Sequence, residues 1–411
     1  MARIAVIGAG IIGAATATRL IGDGHDVTVY EPDPDGLPTS SGNAALLAFP
    51  EIAPIASPDM LTAVPRWLLD PLGPLTLRWM DVPALLPWLL AFLGSATPAK
   101  VARTREALTM LMRTALRDHE DLGGIAGISG HLRQTGYISV HDSEASIKAA
   151  LHEAGSVEQA LGYPFERLST EAARAMVPQL EGSFAGAVHQ PVYWMVSNPL
   201  TVLRQYQAFV RSKGRIVVGK VTAITRDAKG LTPVVEGQPP VSFERVVVAA
   251  GVWSRDLVRQ MGTRVLLENE RGYNTTFTDL GWNLSMPVGF ADHGFIASPL
   301  VDGLRVGGAV ELARPQTSPN YDRAKAMRAK MRRYVPSLPE GGTQWMGRRP
   351  STPDSLPVIS RDPREPRVVY AFGHGHLGLT LSAVTARLVA DLVRPDIPDA
   401  SLAPFSIDRF Q

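Results

Sequence analysis

The chain has 411 residues, 45% of them hydrophobic, which is enough for a large core and suits two domains. Its formal net charge is only +2 and no Lys/Arg block stands out, which argues against a nucleic-acid partner. It contains no cysteine, so a disulfide framework, a thiolate metal site and a cysteine nucleophile are excluded.

Residues 4–7 form a short β-branched run and predict a buried strand. Gly8, Gly10 and Gly13 follow as G-x-G-x-x-G, with Ile11 and Ile12 between the last two. Gly8 permits a tight turn, Gly10 lets the backbone approach a pyrophosphate, and Gly13 lets the next helix pack close to the sheet. The N-terminus of that helix offers unpaired N–H groups and the positive end of a dipole. Residues 26–30 are the second strand, and Glu31 ends it where a carboxylate can accept from ribose hydroxyls. The strand before, the helix after and the acid beyond together predict a dinucleotide site. An acid at Glu31 disfavours a 2′-phosphate, so NADP is not expected. Met1 is followed almost at once by this strand, which leaves no room for a signal peptide.

Residues 32–38 read as a turn-rich loop. Residues 39–45, Thr-Ser-Ser-Gly-Asn-Ala-Ala, fit either a backbone lying against a ring system or a helix N-cap. Residues 50–93 are rich in Pro, Leu and Trp, including Trp67, Trp79 and Trp88. Short helices capping a core are expected there, with a lid or a membrane-facing surface as the other reading. The longest apolar run, residues 82–93, is shorter than the ~20 residues of a membrane span and carries Pro83 and Pro87. A cytoplasmic protein is expected, with peripheral membrane contact left open.

Residues 100–121 and 143–161 have helical periodicity, and residues 131–140 alternate like one strand between them. Ser169 and Thr170 are good caps for a short helix ending near residue 177. Pro199 starts a helix over residues 200–212, which Lys213-Gly214 closes. Residues 215–224 read as a strand pair, residues 237–240 as a turn, and residues 245–251 as a buried strand running into small residues. Residues 266–277 and 292–311 look like antiparallel strands, with a Gly307-Gly308 pair that allows close approach. Residues 322–335 predict a basic helix closed by Pro336, and residues 345–359 a rigid Pro-rich loop leading into a strand. Residues 367–372 are the last buried strand, followed by a second Gly-rich turn at residues 373–380 and a helix at residues 381–392. The chain ends as it begins, strand to Gly-rich turn to helix. One domain closed by both termini, with a second inserted, is therefore expected. His374 and His376 have no third ligand nearby, so no metal is expected.

Taken together, the motifs Gly8–Gly13, Thr39–Ala44, Val248–Ser254, Arg271-Gly-Tyr273, Gly347–Asp354 and Gly373–Thr380 resemble the D-amino-acid dehydrogenases and glycine oxidase-like flavoenzymes of the D-amino-acid oxidase superfamily. Residues 65–69, Pro-Arg-Trp-Leu-Leu, look like the dehydrogenase branch. The resemblance implies an α/β, two-domain fold with a Rossmann-like FAD domain (1–50, 184–262 and 345–411). A mainly antiparallel substrate domain (51–183 and 263–344) completes it. It implies FAD held noncovalently, since no cysteine is present to attach it. Gly8, Gly10, Ile11, Ile12 and Gly13 would meet the pyrophosphate, Glu31 the ribose and Val221 the adenine. Thr39, Ser40, Ser41, Asn43 and Ala44 would lie along the ribityl chain and flavin ring, with Ala250, Gly251 and Trp253 at the sheet edge. Gly375, His376, Leu377, Gly378, Leu379 and Thr380 would cap the flavin, where N–H donors stabilise its reduced form. Two positions depart from the usual pattern: Arg348 before Arg349-Pro350, and His376 where several relatives have Thr or Ser.

The resemblance further implies an amino-acid substrate, a D-amino acid such as D-proline or D-hydroxyproline, and a quinone or respiratory-chain component as electron acceptor. Arg349 is the expected carboxylate clamp, because a guanidinium gives two parallel hydrogen bonds. Tyr273 could add a hydroxyl to the same carboxylate, and His376 could tune the pocket. A glycine- or sarcosine-type oxidase and a non-catalytic flavin-binding module are the competing readings.

Overall fold

The β-branched run near the N-terminus becomes the strand Arg3–Ile7, buried from Ile4 onward. In this computed structural model, which describes residues 1–58, 75–227, 230–314, 316–395 and 400–411, it lies within a six-stranded sheet. The order is Arg215–Val218, Asp26–Glu31, Arg3–Ile7, Arg245–Val248, Val368–Phe372, Val358–Arg361. All neighbours are parallel except the last pair. Such strands are buried on both faces and so read as continuous apolar runs. Both ends of the chain build this one sheet, as expected. Helix Ile11–Gly22 packs against helices Pro199–Lys213 and Ser382–Leu392. Asn198 caps the helix Pro199–Lys213 by accepting from the N–H groups of Leu200 and Thr201.

A nine-stranded, mainly antiparallel sheet forms the second layer. Its edge strand Thr343–Ser351 pairs with Glu268–Phe277, then follow Gly303–Leu312, Phe295–Leu300, Val288–Phe290, Tyr137–His141, Gly186–Gln190 and Glu166–Leu168. Leu75–Leu77 pairs in parallel with Gly303–Leu312. The α/β class with one parallel and one antiparallel sheet is thus as expected. Gly186–Gln190 and Thr343–Ser351, which cross or follow the expected boundaries at 183/184 and 344/345, both pair in this larger sheet.

Several elements differ from the sequence reading. Residues 131–140 hold two strands, not one: Leu132–Gln134 in a small three-stranded sheet and Tyr137–His141 in the large one. Gly136, at φ +72°, turns the chain between them. Residues 292–311 make a hairpin of two strands, turned before Gly303 at φ +148°. Residues 215–224 split into an edge strand of the parallel sheet and the start of a separate hairpin, Val221–Asp227 with Gly230–Val235. The helix begun at Asp322 stops at Met331.

The largest correction concerns residues 345–359. Their first part is not a loop but the strand Thr343–Ser351. Arg348 turns its N–H and C=O outward, both to the Thr39 hydroxyl (3.2 and 3.1 Å). Pro350 has the same outward parity, so its missing N–H breaks no ladder bond, and edge strands tolerate proline for this reason.

Among its described residues the Pro/Trp/Leu-rich stretch forms the helix Val82–Ser95, which Pro83 and Pro87 do not break. Trp88 is buried, stacks on Phe92 at 5.0 Å and donates to the carbonyl of Ser351 (3.0 Å). Trp79, Leu86, Leu90 and Leu93 are exposed, so the core reading holds for one face only. Trp67 and residues 65–69 lie outside the described residues. Among the described residues no single helix is long and apolar enough to cross a membrane.

The contact that sets the parallel layer is at Gly13. A Cβ there would stand 1.9 Å from the carbonyl oxygen of Gly8. Gly13→Ala must push the helix off the strand, and overpacking of this kind costs about 1–3 kcal/mol. Urea unfolding of the flavin-free protein checks it: the midpoint falls in the variant, and an unchanged midpoint contradicts the contact.

Candidate active site

A cavity of about 960 Å³ is lined from both sheets. At one end stands the first Gly-rich turn. Gly8 adopts φ +105°, a backbone region that glycine alone occupies readily, and a Cβ there would meet the Ala249 carbonyl oxygen at 2.5 Å. Gly10 is different: a Cβ would have only the Ser40 hydroxyl within 4 Å, at 3.7 Å. Its open side faces the cavity, as do Ile11 and Ile12. Gly13 is packed beneath. Glu31 lines the wall, one oxygen accepting from Ala9 N (2.7 Å). Val221, Ala250, Gly251 and Trp253 complete this end, Trp253 with half of its surface exposed.

The open question at residues 39–45 resolves into a short 3-10 turn, Thr39–Gly42, and then extended chain. Ser40 accepts from Ile11 N (3.1 Å), so this loop crosses the helix N-terminus. Ser41 turns inward, its hydroxyl donating to Pro38 O (2.8 Å), and does not line the cavity. Asn43 holds the exit by bonding Ser40 O and Ala45 N, with Ala45 at φ +59°. Ala44 lines the cavity beside it.

The far end is built by the second Gly-rich turn, of which Gly375, His376, Leu377, Gly378, Leu379 and Thr380 all line the wall. Two ties position it. Ser351 and His374 form an antiparallel bridge, and Ala48 N donates to the Thr380 hydroxyl (3.0 Å). His374 itself points into the core, bonded to the Thr385 hydroxyl (2.9 Å), and burial pushes its pKa down to about 3. Arg349 stands two residues before Ser351 and His376 two after His374, so the bridge sets them close together. Arg349 donates through Nη1 to Glu270 (2.8 Å), whose other oxygen accepts from the Ser351 hydroxyl (2.8 Å). Burial pushes the Glu270 carboxyl up, but the Arg349 charge, His376 and these two hydrogen bonds win and hold it below its ordinary range. Burial lowers the His376 pKa and Arg349 adds to this, against Glu270 and Glu51. Glu51 accepts from the Tyr193 hydroxyl (3.0 Å) and lines the same wall.

Strand parity decides which side chains reach the cavity. Glu270, Gly272, Asn274 and Thr276 share one face of their strand, and successive residues point oppositely. Tyr273 contributes to the cavity lining, but its hydroxyl turns to the other face of the strand. It is buried, its hydroxyl donating to Glu311 and accepting from Asn320 N, and so is not offered to a ligand carboxylate. Arg271 belongs to the same buried cluster.

The cavity also contains residues that sequence reading missed. Trp345 lies flat over Gly42 and Gly347, where Cβ atoms would overlap its ring at 2.3 and 2.0 Å. Arg305 donates to the carbonyls of Ser41 (3.0 Å) and Asn43 (2.7 Å) and to the Thr276 hydroxyl (3.1 Å). It has no carboxylate at ion-pair distance among the described residues, and removal from water lowers its pKa to about 10. The available signal was glycine: Gly272, Gly307 and Gly347 fall on three neighbouring strands and mark the face kept open.

The family model described as FAD dependent oxidoreductase, DAO, matches residues 3–392. The chain belongs to this family. It is 32% identical to a D-amino-acid oxidase of Bradyrhizobium diazoefficiens, over 99% of this chain and 98% of that one. It is 29% identical to D-amino acid dehydrogenase 2 of Ralstonia nicotianae, over 99% and 100%. The fold is similar to the crystal structure of glycine oxidase from Geobacillus kaustophilus, with a TM-score of 0.72 and 23% identity over 99% of both chains. This FAD-dependent oxidoreductase has residues that fit the cofactor. Gly10 leaves room that a side chain would fill, the helix N-terminus and Glu31 flank that room, and the cavity continues to the second Gly-rich turn.

Gly10 and Gly13 separate binding from folding. The Cβ of a Gly10→Val variant stands 3.7 Å from the Ser40 hydroxyl and meets no protein atom that must move. The apoprotein of that variant should melt as the wild type does, yet retain little or no FAD, because the side chain takes the pyrophosphate's place. Flavin absorbance after purification, read with the melting curve, checks both halves.

Proposed function

We propose that this oxidoreductase oxidises a D-amino acid at its α-carbon, giving an imine that water converts to a 2-oxo acid. The observation that carries this is the cluster at the cap of the cavity: Arg349, His376 and Glu51 line one space, and Glu270 holds Arg349 from behind. Arg349 spends Nη1 on Glu270, while Nη2 has no partner among the described residues. The guanidinium lies over Gly272, where a Cβ would approach Nη2 to 2.4 Å. A cation held flat with donors free suits a carboxylate, and the Glu51 carboxylate on the same cavity wall suits an amine. Bound FAD, held noncovalently, supplies the two-electron acceptor for the α-hydrogen. Orientation by these side chains contributes most of the catalysis that the chain itself provides.

The D-configuration draws support from relatives named D-amino-acid oxidase and D-amino acid dehydrogenase. D-Proline and D-hydroxyproline rest on the resemblance alone. A quinone or respiratory-chain acceptor is proposed over oxygen, and the exposed apolar side chains Leu86, Leu90 and Leu93 support peripheral membrane contact. The cofactor and substrate units are proposed to follow the two large sheets, so that Gly186–Gln190 and Thr343–Ser351 go with the substrate unit.

Anaerobic bleaching of the flavin against a panel of D- and L-amino acids tests the reading. D-Amino acids should bleach it, and faster reduction by L-alanine or L-proline than by their D-forms would sink the stereochemical assignment. Glycine or sarcosine as the best reductant selects the oxidase reading, and bleaching by no amine selects a binding module. For Arg349→Lys, the lost two-pronged bond is worth about 1.5–3 kcal/mol. That corresponds to a kcat/KM roughly tenfold to more than a hundredfold lower at normal FAD content. Arg348→Ala, of opposite strand parity, is expected to cost less.

A further inference from the structure

His376 is the side chain at this site that the carboxylate clamp does not use. Its ring is open to the cavity and makes no hydrogen bond to a described residue. Three charged groups face it: Glu270 from the strand Glu268–Phe277, Arg349 from the strand Thr343–Ser351, and Glu51 from the chain after Leu46–Leu47. Glu270 has both oxygens engaged, by Arg349 and Ser351, and is not free to accept a further proton. Glu51 is bonded to Tyr193. His374, the neighbouring imidazole, is turned into the core.

An amino acid reaches the enzyme mainly as a zwitterion, but its nitrogen must be a neutral amine before its lone pair can assist loss of the α-hydrogen. We propose that His376 takes this proton from the substrate ammonium group. The step rests on the amino-acid reading above. One N–H bond of the ammonium breaks and one N–H bond forms on the free ring nitrogen. A neutral amine and an imidazolium result. FAD, when bound, would accept the α-hydrogen with its two electrons, leaving the nitrogen as an iminium ion that loses one proton to water to give the imine, and the imidazolium would later return its proton to solvent. The ring's place inside the cavity, away from bulk water, lowers its pKa, and the open ring nitrogen can accept. Glu270 and Glu51 stabilise the imidazolium once it forms, and Arg349 limits how far its pKa rises.

The test is the pH dependence of flavin reduction by the best D-amino acid in anaerobic stopped flow, in the FAD-loaded wild type, His376→Asn and His376→Gln. In the wild type the rate should hold at neutral pH and fall only below the ordinary imidazole pKa of about 6.5. In both variants the acid limb should move up towards the pKa of the substrate amine. The loss at pH 7 should be about a hundredfold and should be largely recovered at high pH. The His376 ring signal, followed by NMR in the wild type, should titrate where the wild-type acid limb lies. An acid limb that stays put in the variants, a loss that is equal at every pH, or a ring titration that misses the limb overturns the assignment. Absence of bleaching by any amino acid overturns the amino-acid reading along with it, whereas bleaching with an unmoved limb overturns His376 alone.

Discussion

The geometry of the site depends on one buried carboxylate. Glu270 is 4% exposed and holds Arg349 with one oxygen and Ser351 with the other. Those two residues end the edge strand of the large sheet, and Ser351 in turn bridges to His374 and accepts from Trp88. The carboxylate therefore fixes where the antiparallel sheet meets the Gly-rich turn of the parallel layer. A buried ion pair is weak evidence for stability, because desolvating two charges costs about as much as their attraction returns. Its use here is positional. It holds a guanidinium still against Gly272 and leaves part of it turned to the cavity.

Charge along the cavity is distributed in two groups. The capping end carries Arg349 against Glu270, with Glu51 and His376 alongside. Arg305 stands elsewhere on the same sheet face, in register with Thr276, six residues along the strand from Glu270 and so roughly 20 Å away on the backbone. Its hydrogen bonds go to two carbonyls of the loop that crosses the cofactor helix. It is thus a clamp between sheet and loop, and the loop's path over Gly10 depends on a residue from the other layer. Thr39, bonded to both main-chain groups of Arg348, makes the same connection a second time. The loop is therefore held to the sheet at both ends.

The parallel layer was legible because its requirements fall on residue types. A turn at φ +105° and a helix position where a Cβ would stand 1.9 Å from a carbonyl oxygen admit only glycine, and glycine is what the sequence shows. The cap of the cavity was legible for the same reason. The large sheet was less so. Pro350, Pro353 and Pro357 made residues 345–359 read as a loop, and only pairing with Glu268–Phe277 reveals that Pro350 points off the edge. Tyr273 was placed at the substrate because it follows Arg271-Gly, yet parity sends its hydroxyl and Arg271 to the far face. Nothing local tells which face of a strand meets a cavity when both faces are buried, and a one-residue change reverses every side chain. Glu270 was missed for that reason, and Arg305 and Glu51 because their role comes from distant segments.

This difference explains how one fold serves relatives with different names. The end of the cavity proposed for the cofactor is lined largely by main chain and glycine, and Gly8 and Gly13 there admit no side chain. The proposed substrate end is met by side chains, Arg349 on a sheet strand with Glu270 holding it and His376 on the turn. A substitution at Arg349 or His376 alters charge and reach at the cap without requiring the Gly-rich turns to move. Fold and cofactor therefore persist while the oxidised amine varies, and the reaction must be argued from the side chains at the cap rather than from the architecture. In this chain those side chains put a fixed cation and an unengaged imidazole on the same wall. A carboxylate and an amine on adjacent atoms of one small molecule are the groups such a wall orients.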